Sequence, residues 1–143
     1  MPKPSGPSST AARVSWVLSN CRTIAVVGLS PKPHRASFDV AQYMQSRGYR
    51  IIPINPNADQ VLGEKAYPSL SKAAQHERID LVNCFRNSED IPPIVDEAIA
   101  LGLGAVWMQL GIENPDAAAK AKAVGMKVVM NRCPAIEIPR LGL

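Results

Sequence analysis

The chain reads as an α/β fold, an open and mostly parallel sheet of five strands with helices on both faces. Three observations predict it. Short apolar, β-branched runs alternate with longer helical patterns from Thr23 onward, as in repeated βαβ units. Those runs are almost continuously apolar, without the polar alternation of a half-exposed strand, as strands covered on both faces must be. Gly48, Gly102 and Gly125 each follow a helical pattern and precede the next apolar run, where a helix end favours a positive φ. Right-handed crossovers then give a three-layer, doubly wound, Rossmann-like arrangement, with 3-2-1-4-5 as the expected strand order.

Residues 1–9 (MPKPSGPSS) are rich in Pro, Ser and Gly and have little to bury. They are expected to form a flexible arm ahead of a single domain over 10–143. Val14, Val17 and Leu18 recur at helical spacing behind a Ser/Thr cap and predict a helix over 10–20, with Trp16 near the same stripe as a packing residue. Strands follow over 23–28 (TIAVVG), 50–55 (RIIPIN), 80–85 (DLVNCF), 105–109 (AVWMQ) and 127–131 (KVVMN). Helices are expected over 37–47, 71–76, 91–101 and 115–123, and a short extra segment over 63–67 that Pro68 ends.

With 46% apolar and 20% charged residues, the 143-residue chain has the composition of a soluble globular protein. A net charge of +4 suits an anionic ligand. The basic residues are scattered, no run exceeds two, and aromatic interleaving is missing, so nucleic acid is not the expected partner. Cys21, Cys84 and Cys133 are odd in number and lack CxxC spacing, which points away from a disulfide framework or a zinc site and toward a reducing, cytoplasmic location. No apolar stretch approaches the roughly 20 residues needed to span a bilayer, and no signal peptide core is present, so no membrane association is expected.

In open α/β sheets the ligand lies beyond the carboxyl ends of the strands, so the loops there carry the candidates. The first runs from Gly28 to Ser37 (GLSPKPHRAS). Gly28 permits a tight turn, and the helix that follows offers unpaired N–H groups and a partial positive charge to phosphate oxygens. Lys32, His34 and Arg35 add counter-charge, and Ser30 and Ser37 add hydroxyls. Ser30 and Pro33 stand where the dinucleotide fingerprint has its second and third glycines, and no P-loop occurs. A capped helix behind a solvated basic loop would leave the same residues.

The second strand leads into Asn55, Pro56 and Asn57, without the acid that NAD-binding domains direct at ribose hydroxyls. Asn55 can bond a ribose or make the turn before Pro56. Arg86 follows the third strand, where a guanidinium suits bidentate phosphate contact or a surface ion pair, and Ser88, Glu89 and Asp90 read as helix caps. The fourth strand ends in Met108, Gln109 and Leu110, where Gln109 can read an adenine edge, while Trp107 reads as packing. Asn131, Arg132, Cys133 and Pro134 follow the fifth and bring a thiol to the rim.

In order, the segments TIAVVGLSPKPHRAS, GYRIIPINPN, LGEKAYPSL, DLVNCFR, AVWMQLGI and GMKVVMNRCP resemble the CoA-binding-domain family of small bacterial and archaeal proteins, related to the first domain of the succinyl-CoA synthetase α subunit. The likeness runs from Val14 to the C-terminus. It implies a Rossmann-like fold that binds coenzyme A (CoA) or acyl-CoA, with residues 28–37 cradling phosphates, Asn55 and Pro56 at the second-strand turn, and Met108, Gln109 and Leu110 meeting the nucleotide. Asn131, Cys133 and Pro134 are similar to the synthetase's Asn-Cys-Pro-Gly, with Arg132 interposed and Ala135 in place of Gly. The lysine that follows the synthetase's second-strand turn has no counterpart at Asn57, Ala58 or Asp59, so diphosphate contact falls to Lys32, Arg35 or Arg86.

No counterpart of the synthetase's phosphohistidine is expected, because His34 lies in the first loop and His76 at a polar helix end. The expectation is therefore non-catalytic binding, as a carrier, sensor or accessory subunit, in a homo-oligomer or beside an enzyme partner. Two alternatives stay open: an acyl-CoA or nucleotide-dependent enzyme using Cys133 or Cys84 as nucleophile, and an NAD(P)-binding protein.

Overall fold

The apolar runs pair side by side in a computed structural model that describes residues 10–143. The expected arm over 1–9 lies outside the described residues. The strands are β1 (Thr23–Val27), β2 (Arg50–Ile54), β3 (Gln60–Val61), β4 (Glu64–Lys65), β5 (Leu81–Cys84), β6 (Ala105–Gln109) and β7 (Lys127–Arg132). The helices are α1 (Thr10–Asn20), α2 (Ala36–Ser46), α3 (Leu70–Ala74), α4 (Ile91–Ala100), α5 (Pro115–Ala123) and α6 (Pro134–Arg140). Among the described residues no helix is long and apolar enough to cross a membrane.

Five strands form one parallel sheet in the order β2-β1-β5-β6-β7, and β3 and β4 form a separate antiparallel hairpin. The period of two along each strand divides its side chains between two cores. Ile24 and Val26 of β1, with Trp107 and Val129, meet α1, α2 and α6 on one face. Ala25, Val82, Cys84 and Met108 meet α3, α4 and α5 on the other.

The α/β class and the five-stranded parallel sheet agree with the sequence reading, but the strand order does not. Counting only the five sheet strands, the order is 2-1-3-4-5 instead of 3-2-1-4-5. Pro53 of β2 supplies a reason: its carbonyl accepts from Tyr67 N–H (2.9 Å) on the side away from β1, and its nitrogen faces the same way. Proline has no N–H to give a second full neighbour, so β2 suits the edge and β5 takes the place beside β1. The reversal of strand order, and with it the expected crevice, moves to the ends of β1 and β5.

The expected short segment over 63–67 contains β4, while β3 and α6 went unread. The Gly63 segment is one arm of the β3–β4 hairpin, turned by Leu62 (φ 54°) and Gly63 (φ 77°). Residues 134–140 (PAIEIPR) form α6, whose two prolines obscure a helical pattern, although Pro134 at the first helical position is tolerated because that N–H would be unpaired anyway. Ile138 anchors α6 in the core, and Arg47 secures the chain beyond it by donating twice to the Leu143 carbonyl oxygen (2.6 and 3.1 Å).

Cys84 lies wholly inside the sheet, and burial pushes its thiol up to about 12. Its proton is therefore retained in the folded chain at pH values where the unfolded thiol, near 9.0, has lost it. The corresponding stability is fully present below about pH 9 and is lost as pH rises toward 12. Urea denaturation across this range should show stability falling with pH, and Cys84→Ala should make the decline shallower.

Candidate functional site

β1 ends where Gly28 turns the chain with φ +88°. Its N–H donates to the Ile54 carbonyl (3.0 Å), which ties the loop to β2. A Cβ at this position would stand 2.6 Å from the Phe85 carbonyl oxygen and 3.1 Å from Cδ of Arg86. Only glycine meets both the backbone angle and the space.

Beyond Gly28, Ser30 N–H donates to Ser37 Oγ (3.1 Å) and Lys32 N–H donates to Ser30 Oγ (3.1 Å). The first bond fastens the loop to the first turn of α2, and the second tightens the loop itself. Arg35 precedes that helix in an extended conformation, and no side chain caps it. Arg35 N–H donates to the Lys32 carbonyl (3.0 Å) and Phe38 N–H to the Arg35 carbonyl (3.1 Å), so Ala36 and Ser37 bring the open N–H groups and the positive end of the helix dipole to a hollow of about 300 Å³ lined also by Gly28, Ser30, Lys32, Arg35 and Phe85.

The hollow is the middle of a longer crevice. On one side a cleft of about 480 Å³ shares Gly28 and Ser30 and continues along Asn55, Pro56, Asn57, Ser69, Arg86, Asp90 and Glu97. On the other a cavity of about 410 Å³ shares Ala36 and Phe85 and continues along Val40, Arg86, Gln109, Leu110, Ile112 and Cys133. Arg86 borders both outer lobes. Among the described residues neither Lys32 nor Arg35 pairs with a carboxylate, whereas Arg86 lies 3.6 Å from Asp90. An anion in the middle hollow meets two unneutralised cations and the open helix end.

Eleven of the sequence-derived candidates line these three hollows: Gly28, Ser30, Lys32, Arg35, Ser37, Asn55, Pro56, Arg86, Gln109, Leu110 and Cys133. Two do not. Met108 is fully buried in the core beneath α4 and α5, because the strand's alternation turns it away from Gln109. His34 is exposed on the first loop and is not among the lining residues. Asn55 builds the site instead of offering a free amide: its Nδ2 donates to the Leu29 carbonyl (2.9 Å), and its Oδ1 accepts from Asn57 N–H (2.8 Å).

Asp90 and Glu97 in the cleft were not read from the sequence as site residues. Their signal is the 90, 93, 94, 97 spacing, which sets Asp90, Pro93, Ile94 and Glu97 on one helical stripe along the cleft. Neither acid replaces the one missing after β2, since Asp90 faces Arg86 and Glu97 Oε2 accepts from Ser71 N–H (3.0 Å) and Oγ (2.6 Å).

Burial removes Cys84 as a nucleophile, because its thiol remains protonated until pH approaches about 12. Cys21 is pushed up to about 11 by burial and by Asp80, and its Sγ donates to the Asp80 carbonyl (3.6 Å). Cys133 reaches the rim through a bulge: Gln109 pairs with Arg132, and Asn131 takes φ 59° while its Oδ1 accepts from Gly111 N–H (2.7 Å). Asparagine tolerates this left-handed conformation better than most residues. Trp107 is wholly buried and packs as expected, with Nε1 donating to the Arg132 carbonyl (2.8 Å).

The model of one protein family, the CoA binding domain, matches residues 22–139 and takes in every strand of the sheet. The chain belongs to this CoA binding domain family. It is 40% identical over 122 residues to the uncharacterized protein YneT of Bacillus subtilis, covering 85% of this chain and 89% of that one. A hypothetical protein from Pyrococcus horikoshii has the same fold with a TM-score of 0.88 and 33% identity, over 100% of both chains. An ADP-forming acetate–CoA ligase II of Archaeoglobus fulgidus is 28% identical over 96 residues, which make up 65% of this chain and 14% of the ligase.

Gly28→Ala combines an unfavourable φ with a backbone clash that no side-chain rotation relieves. It should lower folding stability by about 1–3 kcal/mol and widen the gap between the ends of β1 and β5. Urea denaturation measures the loss; unchanged stability would show that the close approach relaxes freely.

Proposed function

We propose that the protein binds CoA or acyl-CoA along the crevice, as a non-catalytic carrier, sensor or accessory subunit. The observation that carries this reading is the middle hollow, where the open N-terminus of α2, Gly28, Lys32 and Arg35 converge. A diphosphate matches these groups, because backbone N–H groups and the helix dipole favour negative charge and the two side chains add charge-assisted bonds. Arg86 supplies a third cation that an incoming phosphate can draw from Asp90. The two outer lobes leave room for an adenosine on one side and a pantetheine arm on the other.

Membership of the CoA binding domain family and the likeness to part of an acetate–CoA ligase both favour CoA over other nucleotides. No acid directly follows β2, where NAD-binding domains hold the ribose hydroxyls, and the two carboxylates of the cleft are turned to other partners, Asp90 to Arg86 and Glu97 Oε2 to Ser71. Among the described residues no imidazole is hydrogen-bonded to Cys133, while His76 stacks on Tyr67 (5.9 Å between ring centroids). We place the protein in the cytoplasm, where CoA is available and the thiols stay reduced.

Calorimetry should show CoA binding more tightly than NAD, and Arg35→Ala should weaken CoA by about 1–3 kcal/mol. Equal or tighter NAD binding would overturn the choice of ligand. An unchanged affinity in the Arg35 variant would remove that side chain from phosphate recognition.

A further inference from the structure

We infer that Gln109 is a specificity residue, whose carboxamide reads an amide of the pantetheine arm lying in the cavity beside α2; this rests on the CoA reading above. The two outer lobes of the crevice differ in chemistry. The cleft toward β2 sets Asn57, Asp90 and Glu97 beside Pro56, Pro93 and Ile94, a mixed wall suited to a base and a ribose. The cavity beside α2 is walled by Ala36, Val40, Phe85, Leu110 and Ile112, with Arg86 and Asn87 also lining it. A flexible chain with a gem-dimethyl carbon and two secondary amides suits the second lobe.

Gln109 lines that lobe from the last position of β6 and is 7% exposed. Its Oε1 is buried without a hydrogen-bond partner. Buried amides are normally satisfied, and this oxygen is itself covered, so a ligand donor in the cavity would complete it by drawing the carboxamide round to face the lobe. A carboxamide offers a donor edge and an acceptor edge, and a half-turn of the group exchanges them, so it complements either end of a secondary amide. Beside it Leu110 is 55% exposed, an apolar surface that such an arm would cover. Asn83, also buried with an unpartnered amide, is wholly covered and does not line the cavity.

The test is calorimetry with CoA and with its nucleotide half, adenosine 3′-phosphate 5′-diphosphate, on the wild-type chain and on Gln109→Leu. Gln109→Met serves as a second variant of similar volume should the first fail to fold. The wild type should bind CoA more tightly than the nucleotide half. The variant should lose about tenfold for CoA and nothing for the half, the scale of one buried hydrogen bond. Equal loss for both compounds, or no loss for CoA, would overturn the role of Gln109 and leave the CoA reading standing. Failure of the wild type to bind either compound would overturn both.

Discussion

The close approach of β1 and β5 at their carboxyl ends is the constraint on which the site depends. Strand order reverses there, so the chains leaving the two strands diverge and open a crevice. The approach holds because residue 28 has no side chain: the Phe85 carbonyl oxygen occupies the volume a Cβ would need. Ser30 and Ser37 then tie the loop to the start of α2, and Asn55 holds Leu29 from the β2 side. These contacts are local and mostly to backbone, so the anion-facing hollow is built before any ligand enters it.

Charge is distributed unevenly around this frame. Elsewhere on the surface some basic groups face acids, as Arg50 does 2.9 Å from Glu77 and Lys120 does 2.7 Å from Asp96, while others, such as Lys65 and Lys127, lie over the rings of Tyr67 and Trp16. Exposed pairs of this kind contribute little to stability. At the crevice, Lys32 and Arg35 stay unneutralised beside an uncapped helix end, and Arg86 is held only loosely at 3.6 Å. The cysteines follow burial instead. Cys84 and Cys21 are shielded and hard to ionise, while Cys133, at 8% exposed, borders the cavity.

Much of this was legible in the sequence for physical reasons. Strands buried on both faces must be apolar throughout, and helices that feed parallel strands end where glycine allows, so the five main runs and their loops could be placed. The strand order was misread because periodicity carries no information about neighbours, although Pro53 marked β2 as an edge. Asn55 was visible as a turn former or a ligand contact, and only coordinates show both ends of its amide in use. Met108 and Gln109 are adjacent in sequence and face opposite sides of the sheet, so a motif read as a stretch assigned one side chain too many. The role of Glu97 arises from a partner 26 residues away, which no local pattern contains.

The central claim is that phosphate recognition is centred on the turn at Gly28 and the first turn of α2. Titrating CoA into 15N-labelled protein and following the backbone amides tests it most directly. The largest shifts are expected at residues 28–37 and at Arg86, where the N–H groups and cations surround the hollow. Shifts centred instead on Thr10, Arg13 and Arg132, at the hollow between α1 and β7, would contradict it.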